Sequence, residues 1–125
     1  KRDRERSRGL GDVYKRQAGA FPAWLAPTQV RVLPVAEVHA DHAHDVAGRL
    51  RSSGFRVDVV GAVEQLGKRV RNGKVEKLPY ILVVGDDDVA NDTVGVNKRG
   101  NDTPERDVTV DDFIARLGDD VENKV

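Results

Sequence analysis

Four stretches of the chain carry side chains that could do chemistry. His39-Ala40-Asp41-His42-Ala43-His44-Asp45 has the residue types of a metal site. On a helix, however, His42 and His44 stand about 200° apart and cannot close on one ion. His39 and His42 could share a face, yet no third ligand is apparent. The run reads as solvated helix-start residues, and no metal is expected. Gly61-Ala62-Val63-Glu64-Gln65-Leu66-Gly67-Lys68-Arg69 has the outline of a phosphate loop. Such a loop requires four residues between its glycines and a hydroxyl after its lysine. Here five separate them and Arg69 follows, so nucleotide binding is not expected, and no dinucleotide fingerprint follows any strand.

Asp86-Asp87-Asp88 could hold magnesium or move protons, but such clusters need a partner acid from the first strand. That strand ends in Pro34-Val35-Ala36 and offers none. A polar turn is the plainer reading, with a ligand contact still open. The fourth stretch is a run of cations: Lys68, Arg69, Arg71, Lys74 and Lys77 against a single acid, Glu76. A solvated helix face explains many such runs. A positive stripe on an acidic domain is also the footprint of phosphate contact. With one tryptophan, two tyrosines and three phenylalanines, base stacking would be minor and hydrogen-bond readout of single-stranded bases would dominate.

These groups need elements to position them. Tyr80-Ile81-Leu82-Val83-Val84 is an unbroken apolar run between Pro79 and Gly85. It is too short for an apolar helix, and its lack of alternation predicts a central strand covered on both faces. The acidic turn lies beyond its carboxyl end, where open α/β sheets bind ligands. Gln29–Val35 is a first strand. Asp41–Ser53 is a helix with Ala43, Val46, Ala47 and Leu50 on one stripe and Gly54 placed for a left-handed cap. Phe55–Val60 is a half-buried strand, which makes a right-handed βαβ unit. Val63–Lys74 is a second helix with Val63, Leu66 and Val70 inward, weakened by Gly67 and Gly73. Thr93–Asn97 is a short strand, followed by a loop over Lys98-Arg99-Gly100-Asn101-Asp102. Thr109 caps a last helix whose stripe is Phe113, Ile114, Leu117 and Val121. The fold class is α/β: a small mixed sheet of about five strands with three helices packed around it.

A chain of 125 residues is one domain at most. Its zero net charge hides an asymmetry. Residues 1–17 hold seven of the 21 basic and three of the 21 acidic residues, which leaves 14 basic against 18 acidic in the rest. That opening segment has no apolar period. It is expected to be a non-native read-through or a disordered basic arm, with 18–28 as a linker and 29–125 as the folded domain. The absence of methionine leads us to expect a piece of a longer protein. The absence of cysteine excludes disulfides and thiolate chemistry and fits a cytoplasmic location. No apolar run approaches the ~20 residues that span a bilayer.

Phe21-Pro22-Ala23-Trp24-Leu25-Ala26-Pro27, Leu66-Gly67-Lys68 to Arg71, Pro79-Tyr80 to Gly85-Asp86, and Thr93-Val94-Gly95-Val96 together resemble the C-terminal anticodon-binding domain of the threonyl-tRNA synthetase family. The resemblance runs from Ala18 to about Val121. It implies a mixed five-stranded sheet behind a class II catalytic domain absent from this sequence. That domain would carry the ligase chemistry with ATP, magnesium and zinc, and would make the dimer, leaving this part a monomer without a catalytic site. The implied partner is the threonine tRNA, whose middle and third anticodon bases are read beyond the central strand. Arg71 matches the family's first reading arginine and Asp88 its acidic reader, one methylene shorter. Val63 stands at the reading asparagine and Asn97 at the second arginine. Lys68, Arg69, Lys74, Lys98 and Arg99 are the expected phosphate contacts. A stand-alone protein-interaction or signalling domain is the alternative.

Overall fold

The computed structural model describes residues 22–100 and 103–123. Segment 1–17, the start of the linker and Asn101-Asp102 of the expected loop lie outside the described residues. Strand β1 (Val30–Pro34) leads through a 3-10 turn (Glu37–His39) into helix α1 (Ala40–Ser52), then β2 (Val57–Val59) and α2 (Leu66–Val75). Central β3 (Tyr80–Val84) is followed by a short helix α3 (Asp86–Asn91), β4 (Thr93–Lys98), β5 (Glu105–Thr109) and α4 (Val110–Glu122). The sheet order is β2-β1-β3-β4-β5. β1 pairs in parallel with both β2 and β3, and the β3–β4 and β4–β5 pairs are antiparallel. The mixed five-stranded sheet is therefore as expected, with a fourth helix added.

The chain reaches β2 and β3 on opposite sides of β1. Two right-handed crossovers then place α1 and α2 on opposite faces of the sheet. On the first face Val30, Val32, Leu82, Val84, Val94 and Val96 are buried. They pack with the stripe of α1 (Ala43, Val46, Ala47, Leu50) and with Phe113 and Leu117 of α4. Each large side chain so buried is worth about 1.5–3 kcal/mol. Phe113 meets the Tyr80 ring edge-on at 5.1 Å and 82°. Burial, then the neighbouring Asp120 carboxylate that accepts from the hydroxyl, push the Tyr80 phenol above its ordinary range. Helix α1 ends as the sequence predicts: Gly54 lies at φ 94°, its amide donates to Arg51 and that of Phe55 to Leu50, a glycine-closed Schellman turn. Thr109 caps α4 by accepting from the Asp112 amide.

Among the described residues, α2 alone covers the second face. Leu33, Leu78 and Ile81 form a small cluster there with Val60, Leu66 and Val70. Gly73 lets α2 lie close, since a β-carbon would sit 2.7 Å from Ile81 Cδ1. Arg31 ties three elements by donating to Asp58 (2.9 and 3.0 Å) and to Glu76 (2.6 and 3.2 Å). These hydrogen bonds raise the Arg31 pKa further and hold the Glu76 carboxyl below its ordinary range.

Several expectations need correction. Helix α2 starts at Leu66, not Val63, and Val63 is 95% exposed rather than inward. Gln65, in extended conformation, is the cap, so Val63 precedes the helical register. Val83 is half-buried, because α2 does not reach across β3 on that face. The acidic turn is the first turn of α3, with three acids at the positive end of a helix too short for an apolar stripe. Residues 22–28, the described part of the expected linker, pack on the domain. Ala23 and Ala26 are buried, Gln29 donates to Ala23 O and accepts from Arg56 N, and Arg56 donates to Ala26 O and Trp24 O.

Candidate nucleic-acid interface

Where α2 stops short, the second face stays open as a cleft of about 550 Å³. Val83, Gly95 and Asn97 form its floor, Leu66 and Val70 of α2 one wall, and the start of α3 its head. Arg106 and Asp107 of β5 make the opposite wall. The head lies beyond the carboxyl ends of β1 and β3, the parallel strands whose neighbours are reached in opposite directions. A β-carbon at Gly95 would meet Val83 O at an ordinary 3.5 Å. Packing therefore tolerates a side chain there, and glycine keeps the floor low.

Among the described residues, Asp86, Asp87, Asp88 and Asp107 make this cleft acidic, against the single cation Arg106. Asp88 is committed to structure: one oxygen accepts from the Gly85 amide (2.9 Å) and the other from the Thr93 hydroxyl (2.7 Å). Asp86 is held from behind by His39. The Ala36 amide donates to His39 Nδ1 (3.1 Å), which assigns the proton to Nε2, 2.6 Å from Asp86 Oδ1. His39 is buried, so it is not one of the solvated helix-start residues the sequence suggested. The only signal for this role was its place just before the helix.

A second, smaller cleft of about 210 Å³ adjoins the first through Asn97, which lines both. Its other walls carry Lys74 of α2 and Lys98 and Arg99 at the end of β4. Arg99 is steadied by donating to Lys77 O (2.7 Å), and burial lowers its pKa. Tertiary structure thus joins three of the expected phosphate contacts, from separate parts of the chain, beside an amide. Lys68 is on the exposed face of α2, paired with Glu64 at 2.7 Å. Arg71 is exposed as well, next in sequence to the cleft residue Val70 and one helical turn before Lys74. Val63 lines neither cleft.

Arg69 is a correction. It is only 2% exposed, and its guanidinium donates to the carbonyls of Glu64 (2.9 Å), Pro34 (2.7 Å), Val60 (3.4 Å) and Val35 (3.2 Å). It staples α2 to the carboxyl ends of β1 and β2 and cannot meet a phosphate. The expectation failed because one helix carries cations on both its outer and its inner face. Arg106 went unnoticed because β5 buries only Val108, so the strand has no apolar alternation to reveal it.

The histidine run does bring possible ligands together, but not the pairs that spacing suggested. Ligand atoms of His42, Asp45 and Asp92 lie within 4.8 Å of one another. Arg49 already donates to both carboxylates. Among the described residues no helix is long and apolar enough to cross a membrane.

The family of anticodon-binding domains matches residues 29–119. The threonine–tRNA ligase of Geobacillus kaustophilus (strain HTA426) is 46% identical over 116 residues, which are 92% of this chain and 17% of that one. The threonine–tRNA ligase of Clostridium botulinum (strain Eklund 17B / Type B) is 39% identical over 117 residues, 94% of this chain and 18% of the relative. The chain thus spans about a sixth of the length of these curated relatives. Among solved structures, the RNA-binding domain of threonyl-tRNA synthetase from Cryptosporidium parvum Iowa II superposes with a TM-score of 0.83 at 25% identity, over 90% of this chain and 28% of that one. Prolyl-tRNA synthetase from Cryptosporidium parvum shares the fold, with a TM-score of 0.72 at 21% identity over 82% of this chain and 22% of that one. The chain belongs to the anticodon-binding domain family, in the form that threonine–tRNA ligases carry.

Proposed function

We propose that this domain binds the anticodon arm of threonine tRNA for a class II threonine–tRNA ligase. One observation carries the reading: an acidic cleft and a basic cleft share Asn97. An acidic cleft repels phosphate but accepts the donor groups of a base, while Lys74, Lys98 and Arg99 next to it suit the backbone. A single strand laid across Asn97 would place a base on one side and its phosphate on the other. Threonine activation, with its ATP, magnesium and zinc, then belongs to parts of the ligase outside this chain, which acts as a monomeric cytoplasmic module on a dimeric enzyme.

Arg71 offers a planar fork suited to a base edge, whereas Lys74 is a point charge suited to phosphate. Filter binding of anticodon stem-loops at several salt concentrations tests both roles. Lys74→Ala should weaken all stem-loops alike and lower the salt slope by a little under one unit. Arg71→Ala should cost about 1–3 kcal/mol and relax discrimination between threonine anticodons and single-base variants. A uniform loss with discrimination intact would show that Arg71 only holds the backbone.

A further inference from the structure

The geometry points to Arg106 as a specificity-determining residue that reads the acceptor edge of a base seated in the acidic cleft; this rests on the anticodon reading above. Among the described residues that line the cleft, Arg106 is the only cation, sharing the space with four aspartates. It nonetheless makes no hydrogen bond or ion pair among the described residues. Val83 and Gly95 line the same cleft, whose volume of about 550 Å³ leaves room for a ligand to bridge Arg106 and the acids of α3.

The opposite wall is prepared for the other half of such a bridge. His39 Nε2 donates to one oxygen of Asp86, and the Asp86 side chain is otherwise 92% exposed. Its second oxygen is therefore available beside Asp87. Carboxylates demand donors from the ligand, and the fork of Arg106 demands two neighbouring acceptors. Among the four bases only guanine offers both as paired edges: N1–H with the N2 amine, and O6 with N7. Adenine, cytosine and uracil lack the paired donor edge. The genetic code puts guanine in the middle of every threonine anticodon, so the cleft's chemistry and the proposed partner agree. Arg106 lies on an exposed edge strand, and replacing it should leave the fold intact.

The test uses the full chain and anticodon stem-loops whose middle base is guanine, 7-deazaguanine, which lacks the N7 acceptor, or hypoxanthine, which lacks the N2 amine. Wild-type protein should lose about five- to tenfold in affinity with either altered base. Arg106→Ala and Arg106→Leu, with unchanged melting temperatures, should bind the guanine loop about tenfold more weakly and show no further loss with 7-deazaguanine. Both should keep the hypoxanthine penalty. If wild-type protein prefers threonine anticodons but its 7-deazaguanine penalty is absent, or persists in both variants, Arg106 is not the reader and the anticodon reading survives. If wild-type protein binds no stem-loop, or shows no preference among them, both fall together.

Discussion

The two faces of this sheet solve different problems with the same five strands. The first is closed by α1 and α4 over a continuous apolar layer, in which Val30, Val32, Leu82, Val84 and Phe113 leave almost nothing to solvent. The second is half closed. Helix α2 is held there by two arginines, Arg31 through Asp58 and Glu76 and Arg69 through backbone carbonyls. Apolar packing tolerates many partners, so it spreads wherever helices can lie. Charge-assisted ties act at points and do not require a helix to cover the whole sheet. That difference is what leaves Val83, Gly95 and Asn97 open to a ligand while the domain keeps a core.

Adjacent residues of β3 give the largest test of this contrast. Leu82 is fully buried on the closed face and Val83 half-buried on the open one. Leu82→Asp buries an unpaired carboxylate at a cost of several kcal/mol, comparable with a domain's whole stability of about 5–15 kcal/mol. It should lose its cooperative melting transition. A Leu82→Asp protein that melts like the wild type would show that the first face is not the core.

Arg69→Ala comes next. It strips three or four buried carbonyls of a charged donor, so urea denaturation should register a loss of about 2–4 kcal/mol. Unchanged stability with a reduced salt slope for RNA binding would instead make Arg69 a phosphate contact.

The Glu76 tie should be weaker, because half of that side chain is exposed. Arg31 holds the Glu76 pKa below its ordinary 4.5. The stability this contributes is complete above that value and is lost as pH falls below it, through the lowered folded-state pKa. Wild-type protein should therefore lose slightly more stability on acidification past about pH 4.5 than Glu76→Gln does, by about 0.5 kcal/mol. Equal acid sensitivity would mean that the pair is not formed in solution.

Val83→Asp should disturb the fold far less than Leu82→Asp does, shifting the melting temperature by only a few degrees, since its carboxylate can reach the water of the cleft. Unfolding by this change would show that the second face is closed after all.

Much of the architecture was legible because it repeats along the chain. The stripe Ala43-Val46-Ala47-Leu50, the glycine at 54 and the run Tyr80–Val84 identify α1, its end and the central strand with local information alone. The candidate site was only partly legible. Asn97, Lys74, Lys98 and Arg99 could be picked out by type, but their meeting around one cleft could not. Strand β5 and helix α3 carry too few apolar residues to show a period, so Arg106 and the true setting of Asp86 stayed hidden.

The sequence by itself determined which segments could be helices and strands, because periodicity and capping act over a few residues. Tertiary structure decided how each side chain is used. Arg69 and Arg71 differ by two positions on one helix, yet Arg69 is a buried staple and Arg71 is exposed. His39 and His44 belong to one run, yet only His39 reaches Asp86, 47 residues away. The reason is that a cation or an imidazole carries the same letter whether it meets solvent, a carbonyl or a carboxylate, and the partner is supplied by a distant part of the chain that only the packed sheet brings near.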